Sequence, residues 1–173
     1  MGMPGFADEQ KRVIAATVDG VRAICVYCPN GQAVGSEKYD YKLRWFAALR
    51  EYLAAEMARH PQLAVAGDFN VAPDDRDVHD PALWRGRNLA SEPERDRLGA
   101  LIDTGLVDLG RDAAGDVTGP FTFWDYRMGA FHRGWGLRID LMLGTEPVRE
   151  RVVSVEVDRE ERKPTSGEGK PSD

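Results

Sequence analysis

The sequence has no long hydrophobic run, few cysteines and no excess of basic residues. No stretch approaches the ~20 consecutive apolar residues that a membrane-spanning helix needs, and no signal peptide opens the chain. The 173 residues include only two cysteines. The net charge of −6 argues against a protein that merely coats nucleic acid, since such proteins are usually basic. We therefore expect a cytoplasmic, monomeric protein without a membrane partner. The composition is compatible with an enzyme.

The two cysteines do not indicate a metal or redox site, although Cys25 and Cys28 are spaced as C-x-x-C. They lie in the run 21–28, whose β-branched and aromatic residues are typical of a strand. Side chains three residues apart on a strand point to opposite faces, so the two sulfurs cannot readily share a metal ion or a disulfide. We predict two buried structural cysteines.

The composition is that of one soluble domain, since hydrophobic residues make up 42% and charged residues 30% of the chain. Asp19-Gly20 between two apolar runs predicts a β-hairpin. Apolar residues at three-to-four spacing predict a helix from about Ser36 to Arg59, and a strand follows at 63–66. The alternation of strands and helices indicates an α/β fold (α+β in some schemes). Later predicted elements are a capped helix from Ser91, strands at 121–126, 137–143 and 152–157, and a polar tail at 158–173.

Two predicted strands end in residues that can do chemistry. The strand at 63–66 leads into Gly67-Asp68-Phe69-Asn70, and the strand at 21–27 ends in Tyr27. Ligands bind at the carboxyl edge of such sheets, and residues two apart in extended chain point the same way. Asp68 and Asn70 therefore pair a carboxylate with an amide. The alternatives are that Asp68 caps a turn, that Asn70 bonds backbone, and that Tyr27 is a core residue with its hydroxyl at the rim.

Asp140 lies inside an otherwise apolar strand, where an unpaired carboxylate is costly. Such a carboxylate often orients a histidine in acid–base catalysis. The alternative is a structural ion pair with an arginine such as Arg138 or Arg127.

A third group of residues combines aromatic and basic side chains between positions 121 and 138. Aromatic rings can stack on bases while arginines bind phosphates, so the group is a candidate DNA-binding surface. The alternative is that the aromatic residues belong to the core. The predicted DNA-binding residues are Phe123, Trp124, Arg127, Arg133, Leu137 and Arg138.

Five motifs in this order resemble exonuclease III, the apurinic/apyrimidinic endonuclease family of the endonuclease/exonuclease/phosphatase superfamily. The resemblance extends from about Gln10 to Asp173. The motifs are Tyr27-x-Pro29-Asn30, Gly67-Asp68-x-Asn70, Thr122-Phe123-Trp124, Leu137-Arg138-Ile139-Asp140 and Pro171-Ser172-Asp173.

The resemblance implies the carboxyl-terminal part of a four-layer, two-sheet β-sandwich flanked by helices. It also implies Mg²⁺-dependent phosphodiester hydrolysis in DNA repair, with abasic-site endonuclease and 3′-to-5′ exonuclease activity, and Mn²⁺ as a possible substitute. The expected partner is double-stranded DNA with abasic sites or blocked 3′ ends.

The resemblance assigns a role to individual residues. Asp68 matches the residue that activates the attacking water and is also a candidate metal ligand. Asn70 matches the amide that holds the phosphate or water, and we include it among the candidate metal ligands. Tyr27 matches the tyrosine at the scissile phosphate, and Asp140 matches the carboxylate that orients a catalytic histidine. Asp173 matches a Mg²⁺ ligand.

The chain departs from the family pattern at both ends. The strand with the principal metal-ligand glutamate has no counterpart, and the sequence stops at Asp173, before the expected catalytic histidine. None of His60, His79 or His132 lies in a matching motif. We therefore expect residues 1–173 to form a single incomplete domain that is inactive or weakly active by itself. The alternatives are a phosphodiesterase or phosphatase for small molecules or lipid head groups, and a non-catalytic DNA-binding fragment.

Overall fold

A computed structural model describes residues 2–8 and 10–162. Its main feature is a five-stranded mixed sheet in the order β1-β2-β3-β7-β4, beside a two-stranded ribbon of β5 and β6. Only β2 and β3 run parallel, because a long helix crosses over between them. The strands are β1 Val13–Val18, β2 Val21–Tyr27, β3 Leu63–Asp68, β4 Leu106–Asp108, β5 Phe123–Trp124, β6 Gly136–Leu137 and β7 Asp140–Thr145.

The two longest helices cover one face of this sheet. Helix α1 buries Trp45, Phe46, Leu49 and Leu53 against β2 and β3, and α3 packs on α1. None of the described helices is both long and apolar enough to cross a membrane. The helices are α1 Glu37–Arg59, α2 Pro81–Trp84, α3 Glu92–Ile102, α4 Leu109–Ala114, α5 Ala130–Arg133 and α6 Glu146–Arg149, with 3₁₀ turns at Asp75–Asp77, Arg127–Gly129 and Arg159–Arg162.

Local sequence signals account for the first elements. Asp19 and Gly20 both adopt positive φ, at 48° and 80°, as a tight hairpin turn requires, and they bring Val18 opposite Val21. The Ser36 hydroxyl accepts a hydrogen bond from the Tyr39 amide at 3.2 Å and so begins α1. The hairpin and the helix at 37–59 are confirmed, as is the helix that follows Ser91.

The opposite face of the sheet is open in the described part of the chain. Register places Ile14, Cys25, Ala66 and Met142 in one row across four strands. Ile14 is 61% exposed and Met142 is 45% exposed. Cys25 lies in this row and is exposed, so the prediction that both cysteines are buried is wrong for Cys25. Cys28 is fully buried, as predicted, and neither cysteine forms a disulfide.

Three strand predictions need correction. The predicted strand at 121–126 shrinks to Phe123–Trp124, and the one at 137–143 breaks at residues 138–139. The break occurs because the amides of Ile139 and Asp140 both donate to the Thr122 hydroxyl, at 3.1 Å and 3.0 Å, instead of to a strand. The predicted strand at 152–157 does not form, because its alternating valines find no pairing partner in the described residues.

The α/β class is confirmed. Of the two sheets that the resemblance implies, residues 2–8 and 10–162 form one large sheet and the short ribbon β5–β6. The predicted tail at 158–173 begins with the turn at Arg159–Arg162, and its remainder lies outside the described residues.

Gly67 should be the least replaceable glycine in the sheet. Its φ is +141°, and a Cβ atom there would lie 1.9 Å from the Val26 carbonyl oxygen, so Gly67→Ala must push β2 from β3. We expect Gly67→Ala to lower the free energy of unfolding by at least about 2 kcal/mol, measured by urea denaturation.

Gly99→Ala is the matched control for Gly67→Ala. Gly99 lies inside α3, and nothing lies within 4 Å of a Cβ atom added there. This variant should be about 0.5–1 kcal/mol more stable than the unaltered chain, because alanine is the better helix former. Equal stability of the two variants would contradict the proposed clash.

Candidate active site

Three of the predicted catalytic side chains lie in one row at one end of the sheet. Tyr27 is the register partner of Asp68 across the parallel pair, and Asp68 is the partner of Asp140 across the antiparallel pair. Partners in register point to the same face, so the phenol and both carboxylates line the open face. Tyr27 is 56% exposed, and both aspartates are half-buried. The structure thus brings together residues from three separate motifs.

Asn70 holds the carboxylate of Asp68 in place. The Asn70 backbone amide donates to Asp68 Oδ1 at 2.7 Å, and its side-chain amide donates to Asp68 Oδ2 at 2.9 Å. The second hydrogen of Asn70 Nδ2 goes to the Cys28 carbonyl oxygen at 3.0 Å. Asn70 is 97% buried and adopts a positive φ of 51°.

This arrangement changes the role that we assign to Asn70. Both hydrogens of its amide nitrogen are occupied, and its Oδ1 accepts a hydrogen bond from Asn30 Nδ2 at 3.0 Å. No amide hydrogen remains in this geometry for a phosphate oxygen, and one lone pair of Oδ1 is already used. We therefore assign to Asn70 the positioning of Asp68, and its role as a metal ligand stays a prediction.

Asn30 connects the ends of β2 and β3 and was not among the predicted site residues, although it lies in the Tyr27 motif. Besides its bond to Asn70, it receives hydrogen bonds from Asn88 Nδ2 at its backbone oxygen (2.9 Å) and its side-chain oxygen (3.2 Å). Three loops thus meet through three asparagines. A cleft of about 540 Å³ lies beside them, and its lining includes Arg12 and Lys38.

A buried ion pair lies beneath these asparagines. The side chains of Lys42 on α1 and Glu94 on α3 are fully buried and in direct contact. Lys42 Nζ also donates to the backbone oxygens of Asn70 at 2.7 Å and Asn30 at 3.1 Å. Burial lowers the pKa of the Lys42 ammonium, and the charge of Glu94 opposes this shift.

Glu94 has every carboxylate oxygen engaged. It accepts hydrogen bonds from the backbone amides of Leu89 and Ser91, both at 3.1 Å, and from the Ser91 hydroxyl. The Ser91 hydroxyl oxygen in turn lies 2.6 Å from the Tyr39 hydroxyl oxygen, within hydrogen-bonding distance. The capping box predicted at Ser91 therefore also supplies the counter-ion that the core lysine needs.

Asp140 is fixed through a hydrogen bond of its backbone and not of its side chain. Its amide donates to the Thr122 hydroxyl, while none of the described residues hydrogen-bonds to its carboxylate. The alternative of an ion pair with Arg138 or Arg127 is wrong within the described residues, because Arg138 pairs elsewhere and Arg127 lies near Asp125 at 3.6 Å.

The described histidines do not lie at Asp140. His60 caps the end of α1, His79 stacks against Trp135, and the His132 ring lies against Phe131. A histidine that Asp140 could orient is therefore not found among residues 2–8 and 10–162.

The predicted DNA-binding residues divide into two groups. Arg138 is 97% buried, with Nε 2.6 Å from Asp77 Oδ1 and both terminal nitrogens on Asp108 at 2.8–3.0 Å. Burial acts to lower the pKa of Arg138, but these carboxylates outweigh it and raise the pKa. Leu137 is also buried, as part of β6. We do not carry these two residues forward as DNA contacts, because their side chains are enclosed.

The exposed group lies on the segment after β5. Arg127 and Arg133 are exposed, whereas Phe123 is half-buried and Trp124 is 9% exposed. Trp124 packs edge-on against Phe131, with ring centroids 5.4 Å apart. The alternative of a core aromatic therefore applies in part to Trp124, while the two arginines are exposed to solvent.

The described residues do not provide a magnesium site by themselves. Among them, no group of three or more His, Cys, Asp or Glu side chains comes together. Mg²⁺ requires octahedral oxygen ligands, and the neighbouring carboxylates of Asp68 and Asp140 are candidates for two of them. Asp173, the remaining predicted ligand, lies outside the described residues.

Comparison with known proteins identifies the family. Residues 5–173 match the Endonuclease/Exonuclease/phosphatase family. The chain belongs to this family. Its matching relatives are longer: an exodeoxyribonuclease of Bacillus subtilis is 32% identical over 145 residues, which are 84% of this chain but 57% of that protein.

Two solved structures have the same fold. A 3′ phosphatase from Neisseria, bound to a product DNA hairpin, is 45% identical, with a TM-score of 0.84 over 86% of this chain and 58% of that one. An AP endonuclease from Archaeoglobus fulgidus is 35% identical, with a TM-score of 0.80 and the same coverage, 86% and 58%. The chain thus spans well under two thirds of each of them.

The ion pair beneath the asparagines should be essential for stability. Lys42→Met leaves Glu94 charged and buried without its cation, so we expect a loss of about 3–5 kcal/mol in the free energy of unfolding, measured in urea. Lys42→Met combined with Glu94→Gln should cost less than the sum of the two single changes, because the variant no longer buries an unpaired charge. Additive losses would contradict a direct interaction.

Cys28 should make stability fall at alkaline pH. Burial raises the pKa of its thiol well above the usual value, so as pH rises past about 8.5 the unfolded chain releases this proton while the folded chain keeps it. Stability should therefore drop by up to about 1.4 kcal/mol per pH unit from this group. Thermal unfolding between pH 7 and 10 should show a shallower decline in Cys28→Ala, while Cys25→Ala keeps the full decline.

Proposed function

We propose that this chain is the larger part of a DNA-repair phosphodiesterase that cleaves at abasic sites and removes blocked or normal nucleotides from 3′ ends. The observation that carries the proposal is the row of Tyr27, Asp68 and Asp140, with Asp68 oriented by Asn70. This row places a phenol and two carboxylates beside one another on an open surface. Such groups can bind a phosphate oxygen and accept a proton from water.

The neighbouring surface supports DNA as the substrate in preference to a small molecule. Arg127 and Arg133 are exposed on the segment that precedes β6, and β6 leads within a few residues to Asp140. Arginines placed beside a phosphate-cleaving site bind neighbouring phosphates of a polymer. The Neisseria relative was solved with product DNA, which agrees with this assignment.

The proposal includes a divalent metal, Mg²⁺ with Mn²⁺ as a substitute. When bound, the metal would stabilise the charge that develops on the phosphoryl oxygens. Asp68 is the described residue best placed to contribute a ligand, since Asn70 fixes both of its oxygens at the edge of the sheet. Asp173 stays a predicted ligand.

The chain by itself should have little or no activity. Asp140 has no histidine to orient among the described residues, so the histidine that the family pattern leads us to expect is missing from the row. The described carboxylates also fall short of a complete metal site.

A chimera tests the proposal. The parts of the Neisseria relative that lie outside the matched region are joined to both ends of this chain, and cleavage of labelled duplexes is measured with and without Mg²⁺. We expect cleavage of abasic-site or 3′-phosphate duplexes and little cleavage of intact ones. In the chimera, Asp68→Asn should lower the rate about 100- to 10,000-fold.

The control for that substitution is Asp19→Asn, which changes a carboxylate in the hairpin turn at a backbone conformation that asparagine also tolerates. It should leave the rate unchanged. The DNA-repair proposal is contradicted if the chimera cleaves damaged and intact DNA at equal rates. It is also contradicted if the chimera turns over only small phosphodiesters or lipid head groups. Robust turnover by the 173-residue chain alone would refute its predicted inactivity.

A further inference from the structure

A stack of aromatic rings lies outside the catalytic row. The Trp135 ring is stacked on His79, with centroids 6.0 Å apart and planes at 18°, and His79 meets Trp84 edge-on at 6.4 Å. The Arg133 guanidinium lies over the Trp135 ring, 4.5 Å from its centroid. We call these four residues the Trp135 stack.

The inner part of the stack is fixed. The His79 backbone amide donates to the Gly136 carbonyl oxygen at 3.0 Å, and its Nδ1 lies 3.3 Å from the same oxygen. Val78, the preceding residue, forms a bridge to Leu137 of β6. These contacts hold His79 against the ribbon, where its ring packs on the Trp135 ring.

The outer part of the stack faces solvent. Trp135 is 37% exposed, whereas Trp45 and Trp124 are 0% and 9% exposed. Arg133 is exposed as well. A planar cation over a supported indole is a surface on which a nucleobase can stack, because guanidinium and indole planes both pair with base faces.

The surroundings favour a polyanion over a protein partner. The segment from Tyr126 to Trp135 contains Arg127, His132 and Arg133 and no acidic residue. Arg85 and Arg87 are exposed just after Trp84, on the other side of the stack, although Asp80 is also exposed there. Basic residues around exposed aromatic rings are typical of surfaces that bind unpaired nucleotides.

From this geometry we propose that the Trp135 stack, whose Trp135 lies five residues before Asp140 along the chain, binds an unpaired base of the DNA substrate. A base that is frayed, mismatched or flipped offers a free face to stack on, whereas a paired base inside the duplex is already stacked on both sides. The inference rests on the proposed DNA function. It assigns DNA with an unpaired 3′-terminal nucleotide as the preferred substrate class, and Trp135 as the residue that selects it.

The test measures binding without metal, so that cleavage does not interfere. The 173-residue chain is titrated into labelled duplexes that are either fully paired or carry a short mismatched 3′ end, in EDTA at fixed salt, and anisotropy gives the two affinities. The chain should bind the mismatched end about 5- to 150-fold more tightly, the range expected for stacking of one base. Trp135→Ala should abolish this preference while affinity for the paired duplex stays within about twofold.

Two further variants sharpen the result. Trp135→Phe should retain much of the preference, because a smaller ring still stacks. Tyr126→Ala removes a more exposed aromatic residue, 75% exposed, from the same segment but outside the stack, and it should keep the preference.

The outcomes distinguish failure of the Trp135 stack as a binding site from failure of the proposed DNA function. A preference that survives Trp135→Ala, that is equally lost in Tyr126→Ala, or that is absent from the unaltered chain overturns the stack as a binding site and leaves the DNA function standing. Failure to bind paired duplex at all counts against the proposed DNA function itself, and the assignment of Trp135 falls with it.

Discussion

The contact between Lys42 and Glu94 is the interaction on which the candidate active site depends. The ends of β2 and β3 leave two backbone carbonyls, those of Asn30 and Asn70, pointing into the protein interior, where an unbonded polar group is costly. The lysine ammonium satisfies both carbonyls, and the glutamate on α3 neutralises the ammonium. The position of Asp68 is therefore set by how α1 packs on α3, and not only by its own strand.

Much of the fold follows from signals that act over a few residues. The Asp19-Gly20 turn, the cap at Ser36 and the polar ends of β2 and β3 each depend on neighbours in sequence, so they were predictable. That Tyr27 and Asp68 lie at the same edge of the sheet could be predicted without knowing the register of β2 and β3, because parallel strands joined by a helix end on the same side. The family motifs then added Asp140.

Contacts between distant residues account for what the sequence did not reveal. Lys42 and Glu94 are 52 positions apart, and the only signal for their pairing was a lysine within the buried stripe of α1. The function of Arg138 depends on Asp77 and Asp108, which lie in a 3₁₀ turn and at the end of a strand. Alternation of valines at 152–157 resembles a strand, but a strand forms only where an edge is free to pair with it.

The row of Tyr27, Asp68 and Asp140 has a mechanical consequence. Adjacent strands are held roughly 4.8 Å apart by their ladder of backbone hydrogen bonds, so a group on β2 and a group on β7 are separated by about two such steps. The spacing between strands therefore sets the distances between these side chains. Loops around the sheet can lengthen, shift or change sequence without altering these distances. A common spacing of these three side chains can thus persist in family members whose surrounding loops differ.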